Sequence, residues 1–329
     1  MKLRDGVVIV DRASYLIIAD PATGRAMRVS RNLLGLCTLL RDGTTREAIS
    51  AYFSTTSAES GEPHSRQSEI LLSIARAGLM GHGAESGLDE TRRWVLSFGQ
   101  DVPRRLAAAI GSLPNSVAWP LLGSLLAVAF AGIAESFRLS RIPSLHSFSG
   151  ISILGAACYL LVLVPLHELA HAVSCEMAGA RVGAMGIVFR NALFPTPFVD
   201  TSRSYLIACT WKRFWIPAAG PVVDIIGLGA AAWVLCLSDR DMCGKSIAAS
   251  LFTLGMICSY VNTSPLLASD GSRMLATLVN DDLARRNAFA LHPGPASKPA
   301  MRVTYRAAAC AHLLVGIAIL SAWWACLCK

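Results

Sequence analysis

Five stretches of this chain, roughly residues 118–137, 150–174, 214–237, 245–267 and 306–328, are apolar over about the 20 residues a helix needs to cross ~30 Å of hydrocarbon. No other feature restricts the fold as much. Hydrocarbon offers a backbone amide no partner, so such segments must be helices that close their hydrogen bonds internally. With 53% hydrophobic and 16% charged residues, the whole chain has a membrane protein's composition. The expected class is an α-helical polytopic membrane protein with about five spans.

The N-terminal MKLRDGVVIVDRAS has neither an apolar core of signal-peptide length nor a small-residue cleavage site, so the first hundred residues are expected to stay cytoplasmic. The +8 net charge informs topology, because Lys and Arg gather in cytoplasmic loops. An N-terminus inside puts Arg181, Arg190, Arg203, Lys212 and Arg213 of one connection, and Arg273, Arg285, Arg286, Lys298 and Arg302 of another, on the cytoplasmic side. The opposite loops carry fewer: Arg138 and Arg141, then Arg240 and Lys245. The expected location is the cell (inner) membrane; nucleic acid is not an expected partner. The ten cysteines form no CxxC pair and are read mostly as apolar packers.

Residues 1–80 are of another kind. VVIV, YLIIAD and AMRV have strand period and β-branching, with Asp20-Pro-Ala-Thr-Gly24 as a turn between the last two. Ser30 opens a helical run that Asp42-Gly43 ends; Thr44 with Glu47 matches a capping box; Ser65 starts a third helix that Gly78 can close. A small α+β domain follows. Residues 81–117, polar and basic, suit a linker with an interfacial helix, and 118–329 form the membrane domain.

The second apolar window ends in VPLHELAHAV, Val164 to Val173. On a helix His167 and His171 project from one face, and Glu168, about 100° from His167, reaches a water between them. This is the H-E-x-x-H arrangement for zinc; the bland alternative is two core histidines satisfied by hydrogen bonds. A catalytic zinc takes three protein ligands and keeps one position open, so a third ligand must come from elsewhere. Glu176, nine residues beyond His167, faces away on a continued helix. Asp200 lies in a Pro-containing loop and Asp224 inside the next span beside Gly220-Pro221. Asp270, in NTSPLLASDG, arrives by topology at the same membrane depth as HELAH. Pro265 cannot donate to a helix ladder, so Asn262 to Gly271 is expected to unwind and turn Asp270 toward the histidines.

HELAH together with Asn262-x-x-Pro265-x-x-x-x-Asp270-Gly271 resembles the site-2 protease family of intramembrane zinc metalloproteases. AAGPVVD, Ala218 to Asp224, is similar to that family's Ala-Gly-Pro-x-x-Asn signature, with Asp224 where Asn is usual. FPTPFVDTS followed by WKRFWIPAAGP is similar to its bacterial peptide-maturation branch. The resemblance covers about 150–280. It implies one Zn2+ per chain held by His167, His171 and Asp270, peptide-bond hydrolysis with Glu168 as general base, and Asn262 holding the substrate or the oxyanion. Asp224 reads either as a partner of a ligand histidine or as a protonated helix contact. The run GIVFRNALF, Gly186 to Phe194, reads as an edge that pairs with substrate backbone, a buried loop or an ordinary surface strand.

Residues 1–80 resemble the PqqD-type domain, a small winged-helix-like unit that binds leader peptides of ribosomally made, modified peptides. In that family a leader adds as a strand to a sheet edge, here within YLIIAD or VVIV, and tethering raises precursor concentration at the zinc site. An inert soluble cap is the alternative. The expected activity is maturation of a precursor peptide by a membrane metalloprotease, with peptide-modifying enzymes or an exporter as further partners. One rival is regulated intramembrane proteolysis of an anchored regulator or a signal-peptide remnant; a PDZ-like insertion would favour it and none is read. The other is a non-catalytic precursor-binding scaffold.

Overall fold

The fold is described from a computed structural model, which covers residues 1–11, 15–20, 26–60, 65–76, 79–80, 95–97, 99–139, 152–190, 194–237, 242–280, 284–290 and 299–327. Helix dominates, and the chain divides into two compact units. The first comprises Met1–Leu96, Ile187–Thr196 and Ser202–Ala208; the second comprises Ser97–Gly186, Pro197–Thr201 and Cys209–Lys329.

In the first unit, β1 (Val8–Asp11), β2 (Tyr15–Ala19) and β3 (Ala26–Ser30) form an antiparallel sheet in the order β1-β2-β3. Val10 stands opposite Ile17, and Ile17 opposite Arg28. Alternation along β2 sends Leu16 and Ile18 to one face. There they join Leu36, Cys37 and Leu40 of α1 (Leu34–Asp42), Ile49 and Phe53 of α2 (Arg46–Ser60) and Ile74 of α3 (Ser65–Arg76). Ile17 and Ala19 turn to the other face, against Val10 and Leu206. A strand segment buried on both faces must be apolar throughout, which accounts for LIIA, Leu16 to Ala19. Because β2 is central, the free edges are β1 and β3, so an edge is available in VVIV and not in YLIIAD.

A 3-10 turn at Arg31–Leu33 leads into α1, which ends at Gly43 with φ +86°, a backbone that suits glycine. The cap of α2 differs by one residue from the sequence expectation. Thr45, not Thr44, accepts the Ala48 amide on its Oγ1 at 3.3 Å, while the Thr44 amide donates to the Met1 carbonyl at 2.9 Å. That pairing engages the Thr44 backbone and leaves capping to its neighbour. The expected turn at Asp20 to Gly24, the Gly78 cap and the linker before Val95 lie wholly or mostly outside the described residues.

The linker yields β4 (Val95–Ser97) and then α4 (Asp101–Gly111), an amphipathic helix with Pro103 and Ala107 buried and Val102, Leu106 and Ile110 exposed. Five helices are long and apolar enough to cross a membrane. They are α5 (Asn115–Arg138), the composite Ile153–Met177, α8 (Thr210–Leu237), α9 (Met242–Asn262) and α12 (Pro299–Leu327). The composite joins α6 (Ile153–Cys158) to α7 (Val164–Met177) through a π-turn at Tyr159–Leu163. Val164 donates five residues back to the Tyr159 carbonyl, and Pro165 has no amide to give the next one. The wider turn thus absorbs a proline just before HELAH.

β5 (Met185–Arg190) and β6 (Phe194–Val199) form a sheet with β4 in the order β4-β5-β6. β5 therefore has neighbours on both sides and is not an edge; residues 191–193 lie outside the description. Chain-end helices α10 (Asp270–Leu278) and α11 (Ala284–Phe289) separate α9 from α12. The centre of the second unit is α8, which packs against α5, α7, α9 and α10. Small residues permit this: a Cβ on Gly229 would fall 2.3 Å from the Ala129 Cα. Outward-facing residues such as Ile153, Leu160, Leu161 and Val162 are exposed and apolar, as lipid-facing positions require.

Candidate metal centre

HELAH lies on α7, where i, i+4 spacing puts the imidazoles of His167 and His171 side by side, 4.7 Å between ring centroids. Both residues are buried. Asp270 reaches them from the first position of α10. The Nε2 atoms of the two histidines are 3.1 Å apart, and Oδ2 of Asp270 stands 3.1 Å from the first and 3.2 Å from the second. Among the described residues this is the one group of three or more ligating side chains with ligand atoms so close together.

The opposite ring atoms decide what the triangle is. Nδ1 of His171 lies 2.7 Å from the Ile216 carbonyl, which only accepts, so that nitrogen carries the proton. Nδ1 of His167 lies 3.0 Å from Oδ2 of Asp224, another acceptor. The approach is a close contact whose alignment falls short of a hydrogen bond, and neither atom has a hydrogen-bond partner elsewhere among the described residues. With both protons on Nδ1, both Nε2 atoms present lone pairs to each other and to a carboxylate oxygen. Three converging lone pairs repel unless a cation sits among them. Edges of this length match a tetrahedral ion with bonds of about 2 Å.

α8 leaves space beside the triangle. A Cβ on Gly220 would fall 2.5 Å from Nε2 of each histidine, so glycine's missing side chain keeps open the side of the triangle next to α8. Pro217 and Pro221 withhold amides from the same turns of α8, whose Ile216 carbonyl His171 uses.

Asp270 is held in place by bonds to the segment before it. α9 ends at Asn262 and residues 263–269 are non-helical, in line with the expected unwinding around Pro265. The Tyr305 hydroxyl donates to the Pro265 carbonyl at 2.7 Å and Arg285 donates to the Leu266 carbonyl at 3.2 Å. Ser269 and Ser272 form a reciprocal capping box that starts α10 at Asp270. At the other end of α10, Arg213 of α8 donates to the Asn280 side chain at 2.9 Å. Of these, only Pro265 was marked by the sequence.

The other sequence candidates fall as follows. Glu168 is half-buried, next to His167 on α7 and outside the ligand triangle. Asn262 is the last residue of α9 and also outside it. Asp200 is not brought to the metal group: its backbone pairs with Gly183 and Ala184 at 2.9 and 2.7 Å. Glu176 accepts the Val182 amide at 2.8 Å and fixes the chain as it leaves α7. Ile216 and Gly220 were missed as site residues because a carbonyl and an absent side chain leave no ligand pattern in sequence. The chain matches no family model, no curated protein and no solved structure.

Proposed function

We propose that this chain is an intramembrane zinc metalloprotease of the site-2 kind, which hydrolyses a peptide bond in a ribosomally synthesised precursor recognised by its N-terminal unit. The observation that carries the reading is the convergence of two Nε2 lone pairs from α7, the helix that also bears Glu168, and one carboxylate oxygen from α10 on one point. Nitrogen and oxygen donors at these distances suit zinc, and three protein ligands leave the fourth position for water or substrate. A zinc ion there supplies Lewis acidity toward the scissile carbonyl and the attacking water.

The protein's own groups do the rest. Glu168 takes the proton of the attacking water and passes it to the leaving amine. Asn262, at the end of α9, steadies the extended substrate or its developing oxyanion, as the family resemblance implies. Closing α8 over the backs of both histidines keeps the ligands from rotating, so their geometry needs no rearrangement during the reaction.

A precursor leader would add to the exposed edge of β1 or β3, main chain to main chain, and bring the cleavage site to the membrane unit. The surplus of Lys and Arg in the connections after the second and fourth spans supports a cytoplasmic N-terminal unit in the cell membrane. The test uses the purified protein in phosphatidylethanolamine–phosphatidylglycerol vesicles, loaded with zinc and given candidate precursor peptides chosen from the short reading frames beside its gene. Wild type cleaves it; Glu168→Gln retains zinc and loses at least ~100-fold in rate. Equal cleavage by the variant would sink the protease reading.

A further inference from the structure

Ile216, Gly220 and Asp224 are spaced four apart on α8 and so lie along one stripe of that helix. Each meets the histidine pair differently. The Ile216 carbonyl takes Nδ1–H of His171, Gly220 leaves room beside both Nε2 atoms, and the Asp224 carboxylate faces Nδ1 of His167. The stripe forms a back wall for the two imidazoles, and its only charged member is Asp224. The site also contains a second carboxylate, Asp270.

A buried carboxylate and a half-buried one within reach of the same imidazole carry a severe desolvation cost unless charge is returned to them. A divalent ion on the far side of the imidazole returns positive charge to the Asp224 side of the ring. Asp224 therefore belongs to the metal's electrostatic balance without touching it. It also selects the tautomer: with an acceptor at Nδ1, His167 must offer Nε2 as a lone pair. Without Asp224 the ring can carry its proton on Nε2, and one ligand is lost for part of the time. His171 has no such vulnerability, because its acceptor is a backbone carbonyl that no side-chain substitution removes.

We propose that Asp224 is a positioning residue of the metal centre, which orients His167 and fixes its ligating tautomer through Nδ1. This rests on reading the centre as a zinc site and is independent of whether the protein is a protease.

The experiment measures zinc release from the full-length protein in detergent into a chromogenic chelator, with no peptide present. Cobalt replaces zinc in parallel, and its visible d–d bands report the ligand geometry. Asp224→Ala should release zinc about 10- to 100-fold faster, the usual cost of losing such a partner. Asp224→Asn keeps an acceptor oxygen without the charge and should restore most of the cobalt spectrum, with release nearer wild type than Ala. Asp200→Ala, which alters a carboxylate outside the centre, should match wild type. The proposal is overturned if Asp224→Ala releases zinc at the wild-type rate, or if Asn is no better than Ala. If Ala does not fold, the Asn variant still decides, since a cobalt spectrum lacking one imidazole would contradict the assignment. Should wild type itself retain neither zinc nor cobalt, the metal reading fails and the role of Asp224 with it; where wild type holds metal, a failure confined to the Asp224 variants overturns the role alone.

Discussion

Both units bury apolar side chains, but the second also buries polar ones at its centre. In the first, the interior is made of Leu16, Ile18, Leu36, Leu40, Ile49, Phe53 and Ile74. In the second, many large aliphatic side chains of the spans face outward, with Leu161 75% exposed, while the interior around α8 holds glycines, alanines, His167, His171 and Asp224 beside Ile216, Leu228, Leu235 and Phe252. Water drives the first arrangement, because each apolar side chain removed from it gains free energy. Lipid supplies no such drive, so close backbone approach and satisfied polar groups decide what goes inside the second. A core leucine of the first unit thus carries stability and an outward-facing leucine of the spans little, whereas a buried polar side chain in the second unit is the place to look for chemistry.

Breaking the polar interior should have the largest effects. Asp270→Ala removes one corner of the ligand triangle and should lower zinc affinity by more than ~100-fold, so that dialysed protein carries well below one equivalent by mass spectrometry. Gly220→Ala puts a methyl 2.5 Å from both ligand nitrogens; it should weaken zinc binding by at least ~10-fold, although alanine is the better helix former.

The leucine comparison is sharpened by making one substitution in both places. Leu36→Ala, fully buried in the first unit, should cost about 2–5 kcal/mol in amide-exchange protection of that unit. Leu161→Ala should stay within about 0.5 kcal/mol by the same measurement in the second. Equal costs would mean that the outward face of the Ile153–Met177 helix is covered by protein and not by lipid.

Tyr305→Phe deletes the hydroxyl on the Pro265 carbonyl, about 1 kcal/mol, and should speed zinc release only a few-fold. The smallest effect is chemical. Burial pushes the Cys37 thiol up to about 11, so below that pH it remains neutral in the fold. An unfolded thiol titrates lower, so stability from Cys37 is complete below the unfolded pKa and is lost as pH rises through about 11. Iodoacetamide at pH 8 should therefore label Cys37 only on unfolding, while exposed Cys209, whose thiol is lowered chiefly by the Lys212 backbone, reacts at once.

How far the sequence could be read follows from the same contrast. Period-two alternation identified β1 to β3, and window length identified all five spans, since both signals are local. HELAH needed only helix geometry, and Asp270 followed from counting spans and noticing Pro265. The order of strands did not follow, because nothing in YLIIAD says that both of its edges are occupied. Thr44 and Thr45 could not be told apart, as the choice depends on a hydrogen bond to Met1 more than forty residues away. Ile216, Tyr305 and the Arg213–Asn280 pair were equally out of reach. Their roles are created by contacts between elements, and two of them act through backbone carbonyls that have no residue identity.

The most direct test of the zinc centre is X-ray absorption at the zinc edge on full-length protein loaded with one equivalent of metal. The account predicts nitrogen and oxygen scatterers at about 2.0–2.2 Å with the outer-shell pattern of two imidazoles. A thiolate shell near 2.3 Å, or an ion surrounded by water alone, would contradict it.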